Sequence, residues 1–342
     1  MSVRVGFLGA GLIAGYHARS LVAAEADFAF AGVHDPDSER AATFASWTGA
    51  MVCASEEEVV EGCDAVYVCA WTSEHPRLVG LAAAHGRAVF CEKPLAPTVS
   101  QVEAMVDAVE AAGIINQVGL VLRSSHSFAL LEHLVSRAES GRLLSVTFHD
   151  DQYLPVNGWY ASTWRSDPAR AGAGVLLEHS IHDVDLIERL GGPVCSVTAT
   201  LAETHGIDGI EDLVAASFRY VSGAVANLTT VWHDIPERLN DRRVEVVCER
   251  LWAVLEGDWI GPLRWQRPGA PPTARQGEAL LEEARALGLS RALPDGGFIA
   301  AVAAGRPASP DFRQALRAHR VVDAAYRSAG SGSAPIAIPS SG

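Results

Sequence analysis

The feature that narrows the fold most is a glycine-spaced turn set between an apolar strand and a helical stretch. Val3-Arg4-Val5-Gly6-Phe7-Leu8 is a short, mostly apolar strand candidate, Gly9-Ala10-Gly11-Leu12-Ile13-Ala14 follows it, and a helical pattern then runs through Leu21-Val22-Ala23. In such a turn the first glycine permits a tight bend, the second lets backbone approach a pyrophosphate, and a small third residue lets helix pack on strand. A second apolar run, Phe28 to Val33, stops just before Asp35, 24 positions past Gly11. A carboxylate there accepts hydrogen bonds from ribose hydroxyls and repels a 2′-phosphate, which predicts NAD in preference to NADP. Two readings stay open beside it: Asp35 opens the Asp-Pro turn and caps the next helix, and Arg40 serves a phosphate, which keeps NADP possible. Gly9, Gly11, Leu12, Ile13 and Asp35 are the expected dinucleotide contacts.

The alternation continues with a helix over 38–48, a strand at 51–53, a helix over 55–61, a strand at 65–69, a helix over 76–85 and a strand over 88–91. A helix over 98–112 and a strand over 114–122 complete six strands. Repeated βα units of this length mean a parallel, doubly wound sheet, which binds ligands at the carboxyl ends of its strands. Trp71, Thr72 and His75 follow the fourth strand and are expected at the cofactor edge. Trp71 also reads as core filler and His75 as a polar cap. Glu92, Lys93 and Pro94 follow the fifth strand. Lys93 is the only lysine beside 26 arginines. Guanidinium stays protonated whereas a lysine pKa moves with its surroundings, so an ammonium kept at a strand end is a candidate for proton or polar chemistry.

Composition bounds the rest. The chain has 342 residues, 49% of them apolar and 20% charged, enough to bury a sizeable core in two domains. No apolar run is long enough to span a membrane, and the chain opens directly into its first strand with no secretory leader, so the expected location is the cytoplasm. The six cysteines lie singly with no Cys-x-x-Cys pair and read as reduced core residues. A net charge of −14 with no basic cluster argues against a nucleic-acid partner and for a small molecule.

From Arg123 the pattern changes: a helix over 128–140, a strand over 143–154, and a loop carrying Trp159, Tyr160, Trp164 and Arg165. The aromatic loop suits stacking and hydrogen bonding to a sugar, and suits domain packing equally. The segment 175–187 reads as one helix in which Glu178, His182 and Asp185 fall at i, i+4 and i+7. A carboxylate one turn from an imidazole can orient it as a general base. Metal binding by Glu178, His179, His182 and Asp185 is a weaker alternative, since no HExxH arrangement is present and no metal is expected. A structural polar face is the third. The remainder is rich in strands suited to an antiparallel sheet, closed by helices over 276–287, 296–303 and 311–328, with a loosely held tail from Ser328.

Taken together, Gly9 to Ala14, Glu92-Lys93-Pro94 and the stretch from Gly174 to Asp185 resemble the Gfo/Idh/MocA oxidoreductases over nearly the whole chain. The resemblance implies an α/β protein: an NAD-binding Rossmann domain over 1–121, and an α+β domain with a large open, mainly antiparallel sheet over 122–342. It implies an NAD(P)-dependent dehydrogenase acting on a hydroxyl-bearing carbon of a sugar or cyclitol. Lys93, Glu178 and His182 fall in its catalytic slots. Arg123 and Asp185 fall in or beside its substrate motifs, joined on this reading by Lys93, His182, Trp164 and Arg165. Glu92 and Lys93 are also placed against the cofactor. A homo-oligomer, dimer or tetramer, is expected. Departures from the family pattern are Glu178 for aspartate, Ser180 for glycine and Trp71 for proline. The rival functions are a dinucleotide- or sugar-binding regulatory protein of the same fold and a metal-dependent hydrolase.

Overall fold

Strands buried on both faces carry near-continuous apolar runs, and strands covered on one face alternate. The computed structural model shows both patterns, and it describes residues 2–158, 160–238, 240–289 and 293–339. In chain order the elements begin with β1 (Val3–Leu8), α1 (Leu12–Ala23), β2 (Phe28–His34), α2 (Ser38–Thr48), β3 (Met51–Val52), α3 (Glu56–Gly62), β4 (Ala65–Val68), α4 (His75–Ala84), β5 (Ala88–Cys91), α5 (Val99–Ala111) and β6 (Asn116–Val118). Next come α6 (His126–Ser136), β7 (Leu143–Tyr153), α7 (Pro168–Ala171), α8 (Val175–Glu178), α9 (Ile181–Gly191), β8 (Val194–Ala202), β9 (Leu213–Tyr220) and β10 (Val225–His233). The chain closes with β11 (Asp241–Cys248), β12 (Leu251–Glu256), β13 (Leu263–Gln266), β14 (Thr273–Arg275), α10 (Glu278–Ala286), α11 (Pro294–Ala304), α12 (Phe312–Gly330) and β15 (Ile336–Ala337).

Two compact units result. The first gathers Met1–Leu120, Ala169–Gly172 and Ala292–Leu316. Its six strands are parallel in the order β3-β2-β1-β4-β5-β6, a Rossmann sheet whose strand order reverses between β1 and β4. One face packs Val66, Val68, Val89 and Cys91 against Val59, Val79, Val102 and Val106 of α3, α4 and α5. The other packs Phe7, Tyr67 and Phe90 against Ala14, Ala18 and Leu21 of α1, with Phe298 and Ile299 of α11. The return of 292–316 to this unit differs from a simple division at residue 121. A boundary read along the chain has no view of a helix whose apolar side chains fit a sheet laid down some 200 residues earlier.

The second unit gathers Val121–Pro168, Ala173–Arg291 and Arg317–Gly342. It holds a nine-stranded sheet in the order β14-β13-β12-β11-β7-β10-β9-β8-β15, antiparallel throughout except for the parallel pair β7 and β10. Burial alternates with period two: Val214, Ala216, Phe218 and Tyr220 of β9 face inward while Ala215, Ser217 and Arg219 face out.

Three expectations need correction. The segment 175–187 is two helices, because His179 and Ser180 leave regular helical geometry between Glu178 and Ile181. The sixth strand covers Asn116–Val118 alone, since Val121–Ser124 coils into a 3-10 turn. The tail after Ser328 is tied down: Ser328 Oγ donates to the Ala334 carbonyl at 2.7 Å, and β15 pairs with β8 to supply the edge strand. Its short apolar residues, Ile336 and Ile338, gave a weaker signal than the surrounding glycines and serines. All six cysteines are free, five of them buried and Cys195 half-buried.

The packing of α11 on the Rossmann sheet makes a direct prediction. Phe298, fully buried between Tyr67 and Phe90 at ring distances of 5.7 Å, should cost about 3–5 kcal/mol when cut to alanine, read as a lower urea midpoint of the unit that contains β1 to β6.

Candidate active site

In the first unit the glycine turn is built by close approach. Gly9 has φ +98°, and a Cβ there would lie 2.6 Å from the Cys69 carbonyl oxygen, so glycine is required on both counts. Gly11 caps α1 with no side-chain hydrogen bond and has open space where a Cβ would sit, and Leu12 and Ile13 behind it are exposed. The first-turn N–H groups therefore face outward without a side-chain cap, the arrangement a pyrophosphate needs. Ala10 N donates to Asp35 Oδ2 at 2.8 Å and Asp37 N to Asp35 Oδ1 at 2.8 Å, which fixes a carboxylate at the end of β2 beside the turn. The helix-capping role weighed for Asp35 belongs to Asp37, whose side chain accepts from Glu39 N and Arg40 N. Arg40 lies 3.3 Å from Asp37. These residues fit a dinucleotide.

The parallel register pairs Val68 with Cys91, so the segments after β4 and β5 leave the sheet at one edge. Trp71, Thr72, Glu92 and Lys93 all lie there. His75 is buried, with Nδ1 2.9 Å from the Pro94 carbonyl and Nε2 3.1 Å from the Ala70 carbonyl, and so joins the two segments from beneath. The Trp71 ring carries the Arg170 guanidinium 4.0 Å above its centroid, which makes it a ring partner within the unit instead of core filler. Gly172 closes on the same edge, where a Cβ would come 2.7 Å from Pro97 Cβ.

Glu92 is buried, and its two oxygens serve different partners. Oε2 accepts from the Lys93 backbone N–H at 3.3 Å, and Oε1 lies 2.8 Å from His17 Nε2. His17 Nδ1 in turn lies 2.7 Å from Asp295 Oδ1 of α11. Burial by itself drives the His17 pKa down, but the charges and hydrogen bonds of Asp295 and Glu92 outweigh it and raise the group to about 10. His17 was not foreseen from sequence, although it shares the buried face of α1 with Ala14, Ala18 and Leu21. An imidazole on such a face demands partners, and that was the available signal.

In the second unit the polypeptide bearing Glu178, His182 and Asp185 is held by buried polar contacts. Glu211 receives the backbone N–H of Gly174 at 2.7 Å and of Leu176 at 2.9 Å, and so caps the short helix α8 from outside. A Cβ on Gly174 would fall 1.9 Å from the Glu211 carbonyl oxygen, which explains the glycine. At the break between α8 and α9, Ser180 Oγ donates to Thr230 Oγ1 at 2.7 Å and His179 Nε2 lies 2.8 Å from Asp150 Oδ2. One turn on, Arg242 Nε donates to Asp183 Oδ1 at 2.6 Å. Thr230, Asp150 and Arg242 stand directly opposite one another on β10, β7 and β11. The same Arg242 donates to Asp150 at 2.7 Å and Asp258 at 2.5 Å. Burial raises Asp150 and pushes Asp183 up to about 8, against the pull of Arg242.

With α9 seated this way, His182 occupies its first turn and Asp185 its second. Asp185 receives a two-pronged ion pair from Arg123, Nε to Oδ2 at 2.7 Å. Glu178 is buried and accepts from Arg165 Nε at 3.2 Å, and the same guanidinium stacks 4.3 Å from the centroid of the Trp164 ring. The two-helix geometry removes the helical-spacing argument for Glu178 orienting His182. Trp159 lies outside the described residues. Arg165 turns Glu178 away from the metal-binding alternative, as Arg123 does Asp185, and among the described residues no three His, Cys, Asp or Glu side chains are grouped to hold a metal ion.

Two tests follow from these networks. Arg242→Leu strands buried carboxylates beneath α9 and should lower stability by about 3–5 kcal/mol, measured by urea titration. The His17 group is raised in the folded protein above its ordinary value near 6.5, so its stabilisation is complete below that pH and is lost as pH climbs toward 10. Thermal midpoints should fall across that window by the equivalent of a few kcal/mol, with a flatter curve for His17→Gln.

Comparison with known proteins bears on both units. Residues 3–120 match the model described as the oxidoreductase family, NAD-binding Rossmann fold, and residues 128–254 match the GFO/IDH/MocA C-terminal domain. A 1,5-anhydro-D-fructose reductase of Ensifer adhaerens is 29% identical over 194 residues, 55% of this chain and 57% of that protein. The chain thus spans little more than half the length of that curated relative. A myo-inositol dehydrogenase of Streptomyces leeuwenhoekii is 32% identical over 324 residues, covering 89% of this chain and 90% of its own. Among solved structures, the WlbA dehydrogenase from Bordetella pertussis in complex with NADH and UDP-GlcNAcA superposes with a TM-score of 0.88 at 24% identity, covering 99% of each chain, a likeness of fold. Two family models over successive segments, and a relative matched nearly end to end, give the glycine turn, the Glu92-Lys93-Pro94 edge and the anchored α9 one origin: this chain belongs to the Gfo/Idh/MocA family of oxidoreductases.

Proposed function

We propose that the protein is an NAD-dependent dehydrogenase or reductase that interconverts a secondary alcohol and a ketone on a sugar, sugar derivative or cyclitol. Family membership together with the single lysine at the carboxyl edge of β5 carries this reading. Bound nicotinamide supplies the hydride acceptor. Lys93 donates a hydrogen bond to the carbinol oxygen and stabilises charge developing there, and His182 accepts the hydroxyl proton. Arg123 and Asp185 buttress the second turn of α9, next to the one that carries His182, and Arg165, held by buried Glu178, presents polar and aromatic surface with Trp164 to the substrate hydroxyls. The relatives' names, inositol and anhydrofructose, favour a ring polyol. The retained lysine and histidine speak for turnover over a regulatory binding role.

Asp35 supports NAD over NADP. Its carboxylate is fixed by two backbone N–H groups at the end of β2, where a 2′-phosphate would meet a second negative charge, and Arg40 is drawn to Asp37. The outward face of the nine-stranded sheet supports assembly into a dimer or tetramer.

A screen of cyclitols, aldoses and glycosides for reduced-nicotinamide absorbance, run in parallel with NAD and NADP, tests the reading. At least one ring polyol should reduce NAD faster than NADP, and Asp35→Ser should narrow that preference. Lys93→Met and His182→Ala should each lower turnover about 100- to 10,000-fold. Full turnover in either variant removes that residue from the chemistry.

A further inference from the structure

We propose that His17 is a positioning residue for Lys93: by bridging Glu92 and Asp295 it holds the Glu92-Lys93-Pro94 turn in the arrangement from which the amine acts. The inference rests on the reading of Lys93 given above and adds to it a residue outside the glycine turn, from the helix behind it.

The geometry is specific. His17 is wholly buried, and each ring nitrogen meets a carboxylate from a distant part of the chain, Glu92 at 2.8 Å and Asp295 at 2.7 Å. Two acceptors on one imidazole require both nitrogens to donate, so the ring bridges as a cation. Its remaining neighbours are aromatic: Phe90 at 4.8 Å and Tyr67 at 5.6 Å between ring centroids, and Tyr16 edge-on at 5.6 Å. The other titratable groups facing this cluster are the Tyr67 and Tyr16 hydroxyls and the Cys69 and Cys91 thiols, and burial raises all four, so none competes for the proton at neutral pH. If packing were the only demand, a leucine would fill the space without burying three ionisable groups. The carboxylate so fixed is the residue before Lys93, and its second oxygen takes the Lys93 N–H at 3.3 Å. The backbone is cut away to admit it: a Cβ on Gly119 would lie 2.2 Å from Glu92 Oε1. On the other side of Lys93, the Pro94 carbonyl is 2.9 Å from His75 Nδ1. The turn is thus held by one buried imidazole before the lysine and another after it.

Because the chain has one lysine, reductive methylation with ¹³C-formaldehyde yields one lysine resonance, separable from the α-amine by its higher pKa. In wild type the imidazole ¹⁵N shifts of His17 should show both nitrogens protonated at pH 8. A neutral ring there overturns the bridge. In His17→Gln the lysine resonance should shift or split, and its titration midpoint should move by about half a unit or more. Gly119→Ala, which wedges Glu92 away without altering any ionisable group, should reproduce the change. Val60→Ala, which loosens the core on the opposite face of the sheet, should not. With any polyol the wild type oxidises, His17→Gln should lower kcat about 10- to 100-fold while KM moves less than threefold. If folded His17→Gln and Gly119→Ala both keep the wild-type lysine signal and titration, His17 only packs and the proposal fails. If wild type oxidises no polyol, the functional reading fails separately, since the resonance still reports whether His17 sets the lysine.

Discussion

The buried contact row of Thr230, Asp150 and Arg242 is the constraint on which the second unit depends. Three adjacent strands present these side chains opposite one another on the inner face, and the break between α8 and α9 engages all three through Ser180, His179 and Asp183. An apolar interface would let the short helices slide. A row of directional bonds in a low-dielectric interior permits one seating, since any shift strands a charge or a hydroxyl. Ser180, an oddity beside the glycine expected at that place, supplies one of these bonds. The cost is a guanidinium buried among three carboxylates, offset by its hydrogen bonds to Asp183, Asp150 and Asp258.

The first unit uses the same device at smaller scale. Its parallel sheet is held by apolar packing on both faces, which sets layers and strand order but leaves the exit angles of the strand-end segments loose. Those angles are set by polar side chains beneath the edge. His75 joins the Ala70 and Pro94 carbonyls, and His17 joins α1, the β5 turn and α11 through Glu92 and Asp295. In both units, then, buried polar residues hold in place the segments proposed to do chemistry: the turn after β5 that carries Lys93, and the start of α9 that carries His182.

Much of this was legible along the chain. The glycine turn, the alternation of β and α, Asp35 at the end of β2 and the lone lysine after β5 all express local rules: glycine where backbone crowds, apolar runs where strands are buried, a carboxylate where ribose is expected. The six-stranded parallel sheet and the mainly antiparallel second sheet followed from patterning alone. What failed was helical spacing at 178–182, where apolar residues with period near 3.6 run straight through a break that capping by Glu211 and the bond to Thr230 impose from elsewhere. The anchored tail failed for a related reason, since glycines and serines mask a two-residue strand.

The sequence by itself determined the fold class and the family and put forward the residues proposed for chemistry, because the motifs that carry them are written in short-range pattern. Only the tertiary structure decided which partner each of those residues meets: Glu178 with Arg165, Asp185 with Arg123, Glu92 with His17. Those pairings join positions as far apart as His17 and Asp295. Ion pairs and hydrogen bonds depend on distance in space, and neither spacing nor composition records which distant side chains the packed strands bring to face each other.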